Sequence, residues 1–226
     1  GITTDFDKFK DTGLPIISDI CQCMFGHYKN TPVAQLNDLT AISFGRRKEL
    51  PTFGTYGAVL CEDERYLDAL EATKFNGMSK KGTYYEYLGF NGEPSEDKAV
   101  SCLIALRYRN AWNRRRHEIA EMYNELLSHN GIRYLTPPNY SDINYQKYIV
   151  FVDDRNKTRK ALNELGVPAK DYYPLSAHQS DLFEGGTFVG VEQFMQNALC
   201  LPIDPWYYDE EIRFIVDSLL QVLSNE

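Results

Sequence analysis

The chain has 226 residues, 43% of them hydrophobic, and its 32 acidic against 24 basic side chains give a net charge of −8. That is enough apolar material for one large or two small domains with a real core. The acidic balance argues against a nucleic-acid binder working through a broad basic face, and no apolar run approaches the length of a membrane span.

Residues 3–12 read as the end of a helix, with Phe6 and Phe9 on one face and Gly13 as its stop. Residues 14–18, Leu14-Pro15-Ile16-Ile17-Ser18, are apolar without alternation, as expected of a strand covered on both faces of a parallel sheet. A short helix over 20–25, a second strand over 38–44 and a third over 57–61 come next. Residues 63–75 read as an amphipathic helix with Leu67, Leu70 and Ala72 on its inner side. The Gly-, Tyr- and Lys-rich stretch 78–92 lacks helical period and reads as a loop. Ser95 with Glu96 and Asp97 then opens a long helix, whose apolar positions Ala99, Leu103, Leu106, Ile119, Met122, Tyr123 and Leu126 keep helical spacing almost to Gly131.

Beyond it, 132–135 and 145–152 look extended, 158–165 helical, 168–173 extended, and 191–199 and 209–222 helical. Strand, loop and helix alternate through the first ninety or so residues, the pattern of an α/β layer. The expected fold is therefore α/β: a mainly parallel sheet over residues 1–93, then a small α+β domain over 94–226 hung on the long helix.

The chemistry gathers around two strand ends. Asp19 comes after the first strand, and the run Ser43-Phe44-Gly45-Arg46-Arg47-Lys48 closes the second. A strand ending in an acid, then a strand ending in Ser and a loop lysine, suits pyridoxal phosphate. The lysine amine can bond the aldehyde, and the carboxylate can keep the pyridine nitrogen protonated so that the ring acts as an electron sink. Asp19 can equally cap the short helix expected from residue 20. Cys21, Cys23, Cys61, Cys102 and Cys200 form an odd, scattered set. Cys21-x-Cys23 can be read as a redox or metal pair, but small thiols in a reducing cytosol are the plainer reading, and no metal site is expected.

The ordered motifs resemble the C-terminal portion of a DegT/DnrJ/StrS-family, fold-type I sugar aminotransferase. Ile16-Ile17-Ser18-Asp19-Ile20-Cys21-Gln22 is similar to the family's strand and Asp-x-x-Gln turn. Ser43-Phe44-x-x-x-Lys48 resembles its lysine segment, and Gly54-Thr55-Tyr56-Gly57-Ala58-Val59 its glycine-rich return strand. Leu88-Gly89-Phe90-Asn91, Tyr172-Tyr173-Pro174-Leu175-x-x-His178 and Leu201-Pro202-Ile203 recur in order.

The resemblance implies a PLP-dependent enzyme that moves an amino group from an amino-acid donor to a keto group of a nucleotide-linked sugar, as a cytoplasmic homodimer. Lys48 would hold the cofactor and shuttle the proton. Asp19 would pair with the ring nitrogen, and Gln22 would sit near the ring and its hydroxyl. Ser43 would bind the phosphate, and Asn91 would reach a phosphate in the neighbouring subunit. Tyr173 and His178 would lie near the substrate mouth.

Each of these residues also has a bland reading: a helix-surface glutamine at Gln22, a turn former at Asn91, a hydrogen-bonded structural histidine at His178. Arg114-Arg115-Arg116-His117 lies beside Glu118 and Glu121 and reads first as a salt-bridged solvated face. Tyr84-Tyr85-x-Tyr87 reads first as a surface packed against a neighbouring subunit.

The chain departs from the family pattern at Gly45 and Arg46, where a Pro and a preceding aromatic or His are usual. It departs again at Thr55 and Tyr56 and at Glu93. Nothing matches the family's first half-domain, and the start at Gly1 lacks signal-peptide character. The competing expectation is a truncated or split homologue that folds and serves in assembly without activity of its own.

Overall fold

The structure, a computed structural model, describes residues 1–78, 82, 84–183 and 185–225, so part of the expected 78–92 loop lies outside the described residues. The chain divides into two compact units. One comprises 1–111 and 137–144, the other 112–136 and 145–226.

The first unit is built on strands β1 (Ile17–Asp19), β4 (Leu39–Phe44) and β5 (Tyr56–Cys61) in the order β1-β4-β5, with the hairpin strands β2 (His27–Tyr28) and β3 (Thr31–Pro32) between β1 and β4 in the chain. β1 runs parallel to β4, with Ile17 opposite Leu39 and Asp19 opposite Ala41. β5 returns antiparallel along β4, from Leu39 opposite Cys61 to Phe44 opposite Tyr56. The sheet expected to be mainly parallel is thus mixed over these three strands. The link 45–55 contains no helix to carry the chain back across the sheet, so β5 can only fold back beside β4.

Residues 20–25, expected as a helix, form successive turns, with Cys23 N–H donating to Ile20 and Gly26 N–H to Cys23. β2 and β3 then turn tightly through Lys29 and Asn30 (φ +46° and +69°), the paired left-handed residues of a two-residue hairpin. A short β6 (Ser141–Asp142) adds antiparallel to β2. The expected helix over 3–12 is instead two 3₁₀ turns, Phe6–Lys8 and Lys10–Thr12, ended by Gly13 in the left-handed region. Phe6 packs with Ile20, Cys23, Tyr28 and Val33, its ring edge-on to Tyr28 at 5.3 Å.

Helix α1 (Glu64–Lys74) starts where Asp63 accepts the Arg65 amide at 2.9 Å. Its inner face is Ala72; Leu67, expected there, is exposed.

Helix α2 (Glu96–His129) crosses from one unit into the other at residue 111. In the second unit β7 (Tyr148–Phe151), β8 (Lys170–Asp171) and β9 (Ala198–Leu201) form an antiparallel sheet in the order β7-β9-β8, accompanied by α3 (Arg155–Glu164), α4 (Val189–Asn197) and α5 (Asp209–Ser224). The expected helix over 191–199 ends at Asn197, and Ala198–Leu201 is the buried central strand. One apolar cluster joins Ile119, Tyr123 and Leu127 of α2 to Val150, Leu199, Leu162 and the inner face of α5. Tyr123 O–H donates to the Pro202 carbonyl at 2.7 Å, so burying this phenol leaves no donor unmet. Among the described residues no helix is long and apolar enough to cross a membrane.

Candidate active site

β1 and β4 run in the same direction, so the residues just beyond them emerge at one edge of the sheet, where ligands of open α/β folds collect. The Ile16 amide is fixed by the Asp38 carboxylate at 2.8 Å, and the Asn37 amide donates to Ser18, anchoring β1 beside the start of β4. Ile20 N–H donates to the Ala41 carbonyl at 3.1 Å, carrying the parallel pairing one step past Asp19.

There the chain turns. The Asp19 carboxylate accepts the Cys21 amide at 3.0 Å, an Asx turn that ends the strand; the helix it was expected to cap does not form. On the other strand, Gly45 lies in the left-handed region at φ +155°, Lys48 N–H closes a turn onto the Gly45 carbonyl at 3.0 Å, and the Lys48 ammonium donates to the Cys21 carbonyl at 3.3 Å. Asp19, Cys21 and Lys48 therefore meet in one patch. Beside them, buried Glu49 accepts the Met24 amide at 3.2 Å, a second tie between the two strand-end loops.

Hydrogen bonds from the Cys21 thiol and amide hold the Asp19 carboxyl below the usual carboxylate range, and the Lys48 charge adds to this. Burial, and then the neighbouring Asp19, push the Cys21 thiol up to about 11, so it stays protonated near neutral pH. The patch thus presents an ionised carboxylate and a primary amine with no competing thiolate. That donor set fits a pyridinium nitrogen on one side and an aldehyde on the other.

Ser43 is half-buried on β4 opposite Gly57. A Cβ at Gly57 would stand 2.6 Å from the Ile42 carbonyl, so only glycine permits this close strand approach. Gln22 is half-buried in the turn after Asp19, and its carbonyl accepts from the chain's amino terminus. Asn91 is exposed and bridges Phe75 at the end of α1. Among the described residues no hydrogen bond or ion pair joins it to Asp19 or Lys48.

Tyr173 and His178 belong to the second unit. Tyr173 is 48% exposed, while His178 Nε2 lies 3.2 Å from Glu192 and its ring packs on Phe188 at 4.7 Å. Sequence reasoning missed Cys21 and Glu49 as parts of the first patch. Glu49 carried a signal, a lone acid closing a run of three basic residues just before an apolar Leu-Pro.

The fold is α/β, and Asp19 and Lys48 lie at the same edge of its first sheet. The sequence profile of the DegT/DnrJ/EryC1/StrS aminotransferase family matches residues 7–220, and the chain belongs to that family. It is 26% identical over 229 residues to a dTDP-3-amino-3,4,6-trideoxy-alpha-D-glucose transaminase of Streptomyces venezuelae, covering 97% of this chain and 60% of that protein. To a pleiotropic regulatory protein of Geobacillus stearothermophilus it is 24% identical, covering 94% and 59%. A crystal structure of a DegT DnrJ EryC1 StrS aminotransferase from Brucella abortus superposes with a TM-score of 0.90 at 22% identity, covering 98% of this chain and 61% of that one. The chain thus spans about 60% of the length of the relatives it matches.

Proposed function

We propose that the chain is the lysine-bearing part of a pyridoxal phosphate-dependent aminotransferase acting on a nucleotide-linked keto sugar, with an amino acid as donor. The observation that carries this reading is the convergence of Asp19 and Lys48 at the carboxyl ends of two parallel strands, within a chain of this family. When bound, the cofactor supplies an electron-withdrawing ring that amino transfer requires.

The chain's own residues then divide the work. Lys48 Nζ would hold the cofactor through its aldehyde and would carry the proton that amino transfer requires. The Asp19 carboxylate, ionised at neutral pH, would face the ring nitrogen and favour its protonated form. Ser43 would bind phosphate oxygen and Gln22 would lie near the ring hydroxyl, while Tyr173 and His178, in the second unit, are the proposed substrate contacts. Asn91 serves a neighbouring subunit in a homodimer. The exposure of Tyr85, Leu88 and Phe90 just before it, at 72%, 98% and 63%, supports a subunit contact there.

The alternative reading is a chain that folds and assembles without turnover of its own. The test is turnover of a nucleotide-linked keto sugar with PLP and an amino donor. Lys48→Ala should lower the rate by at least about a thousandfold. Turnover unchanged in Lys48→Ala would contradict the first reading, and absence of turnover despite cofactor bound at Lys48 would favour the second.

A further inference from the structure

Near its start, helix α2 stands off the sheet of the first unit. Ile42 and Phe44 of β4 alternate onto one face of that sheet, and Leu60 of β5 joins them, because it opposes Thr40 in the register. Cys102, Leu106 and Arg109 lie over this face at helical spacing on one side of α2. The helix is tied down one turn earlier, where Tyr56 O–H donates to the Lys98 carbonyl at 2.6 Å. Beyond that tie a half-open cavity of about 470 Å³ separates helix from sheet, walled also by Phe25 and by Pro32 of β3. Leu106 faces this space and is still 44% exposed.

Protein interiors close gaps of this size, and water occupies one stably only where two or more polar partners hold it. Here the lining is mostly carbon. His27, at the wall, is matched by Asp142, whose carboxylate lies 3.4 Å from its Nδ1. The remaining charge is Arg109. Its guanidinium lies over the Phe25 ring, 4.1 Å from the centroid, and hydrogen-bonds its neighbour Asn110 at 2.9 and 3.1 Å. It pairs with no carboxylate among the described residues, in a protein of net charge −8. An apolar cavity of ligand size with one uncompensated cation in its wall selects a compact apolar body that carries one negative charge.

We infer that this cavity binds an apolar monocarboxylate, with the carboxylate on Arg109 and an aryl or short alkyl body against Ile42, Phe44 and Leu60. Titrating the whole chain with 2-naphthoate and with uncharged 2-naphthamide, followed by the fluorescence of the probe, tests it. Naphthoate should bind more tightly than the amide, and added salt should weaken the acid alone. Arg109→Met keeps an apolar side chain over Phe25. It should lower naphthoate affinity about tenfold and leave the amide unchanged. Cys102→Phe should fill the cavity and abolish binding of both. Saturating naphthoate should also slow alkylation of Cys102 at least about fivefold. Cys61 alternates with Leu60 onto the opposite face of β5, so its alkylation should not change.

Should Cys102→Phe misfold, the Arg109→Met titration and the Cys102 alkylation decide alone. No binding at millimolar naphthoate, equal affinity in wild type and Arg109→Met, or equal protection of Cys61 would overturn the inference. So would a naphthoate affinity that falls as the protein is concentrated, the sign of a second copy seated in the cavity. Neither Asp19 nor Lys48 lines the cavity, so failure here leaves the aminotransferase reading untouched, and a failed Lys48 test leaves this site standing.

Discussion

Two stretches of helix α2 meet water very differently. Beyond residue 111, Ile119, Ala120, Tyr123 and Leu127 are all 0% exposed and form the middle of the second unit's core. Before it, Val100, Leu103, Ile104 and Tyr108 fall on one helical stripe yet are 54%, 61%, 50% and 55% exposed. The sheet of the first unit repeats the contrast, since Leu14 and Ile17 at β1 are 71% and 68% exposed while every residue of β9 in the second unit is buried. Helical period reports that a face is apolar, not that the same chain covers it. Covering a leucine is worth roughly 1.5–3 kcal/mol, so the stripe leaves that stabilisation unused in these residues.

Leu219→Ala on α5, where the side chain is fully buried, should cost about 2–5 kcal/mol, whereas Leu103→Ala should stay within about 0.5 kcal/mol. Urea midpoints decide this, and equal losses would erase the contrast between the units. Next in size, Leu103→Glu should weaken self-association at least about tenfold in sedimentation experiments if the stripe is where two copies meet. Unchanged association would move the subunit contact elsewhere.

A smaller effect compares two cysteines of like environment. Cys23 and Cys200 are 9% and 8% exposed, and burial pushes both thiols up to about 11. If the less enclosed first unit opens locally about 1–2 kcal/mol more easily, Cys23 should react with a thiol reagent roughly 5–30 times faster than Cys200. Equal rates would mean equal local stability.

The smallest effect concerns Asp19. Its folded pKa lies below the ordinary 3.8, so its contribution to stability is present above that value and is lost as pH falls through the lowered one. Because the group is largely solvated, Asp19→Asn should cost at most about 0.5 kcal/mol at pH 7 and less as the pH falls through the lowered value. A loss that grew toward low pH would reverse the sign assigned here.

Much of this architecture was legible because particular residues allowed a single reading. Leu39-Thr40-Ala41-Ile42 reads as a strand and residues 63–75 as a helix, and β4 and α1 lie there. The misreadings have physical causes too. Asn197-Ala198-Leu199-Cys200-Leu201 has no Gly or Pro between helix and strand, so the apolar run looked like more helix. Residues 20–25 carry apolar side chains at short spacing, but the Asx turn at Asp19 and the turn amides of Cys23 and Gly26 divert the chain. The hairpin at Lys29-Asn30 lacks the glycine that usually announces one.

The central claim is that Lys48, paired at one sheet edge with Asp19, holds the cofactor. Incubating the protein with pyridoxal phosphate, reducing with borohydride and mapping the modified peptide by mass spectrometry tests it directly. The label should sit on Lys48, with the visible absorbance lost on reduction and both absent from Lys48→Ala. Label spread over surface lysines, or retained undiminished in Lys48→Ala, would contradict the claim.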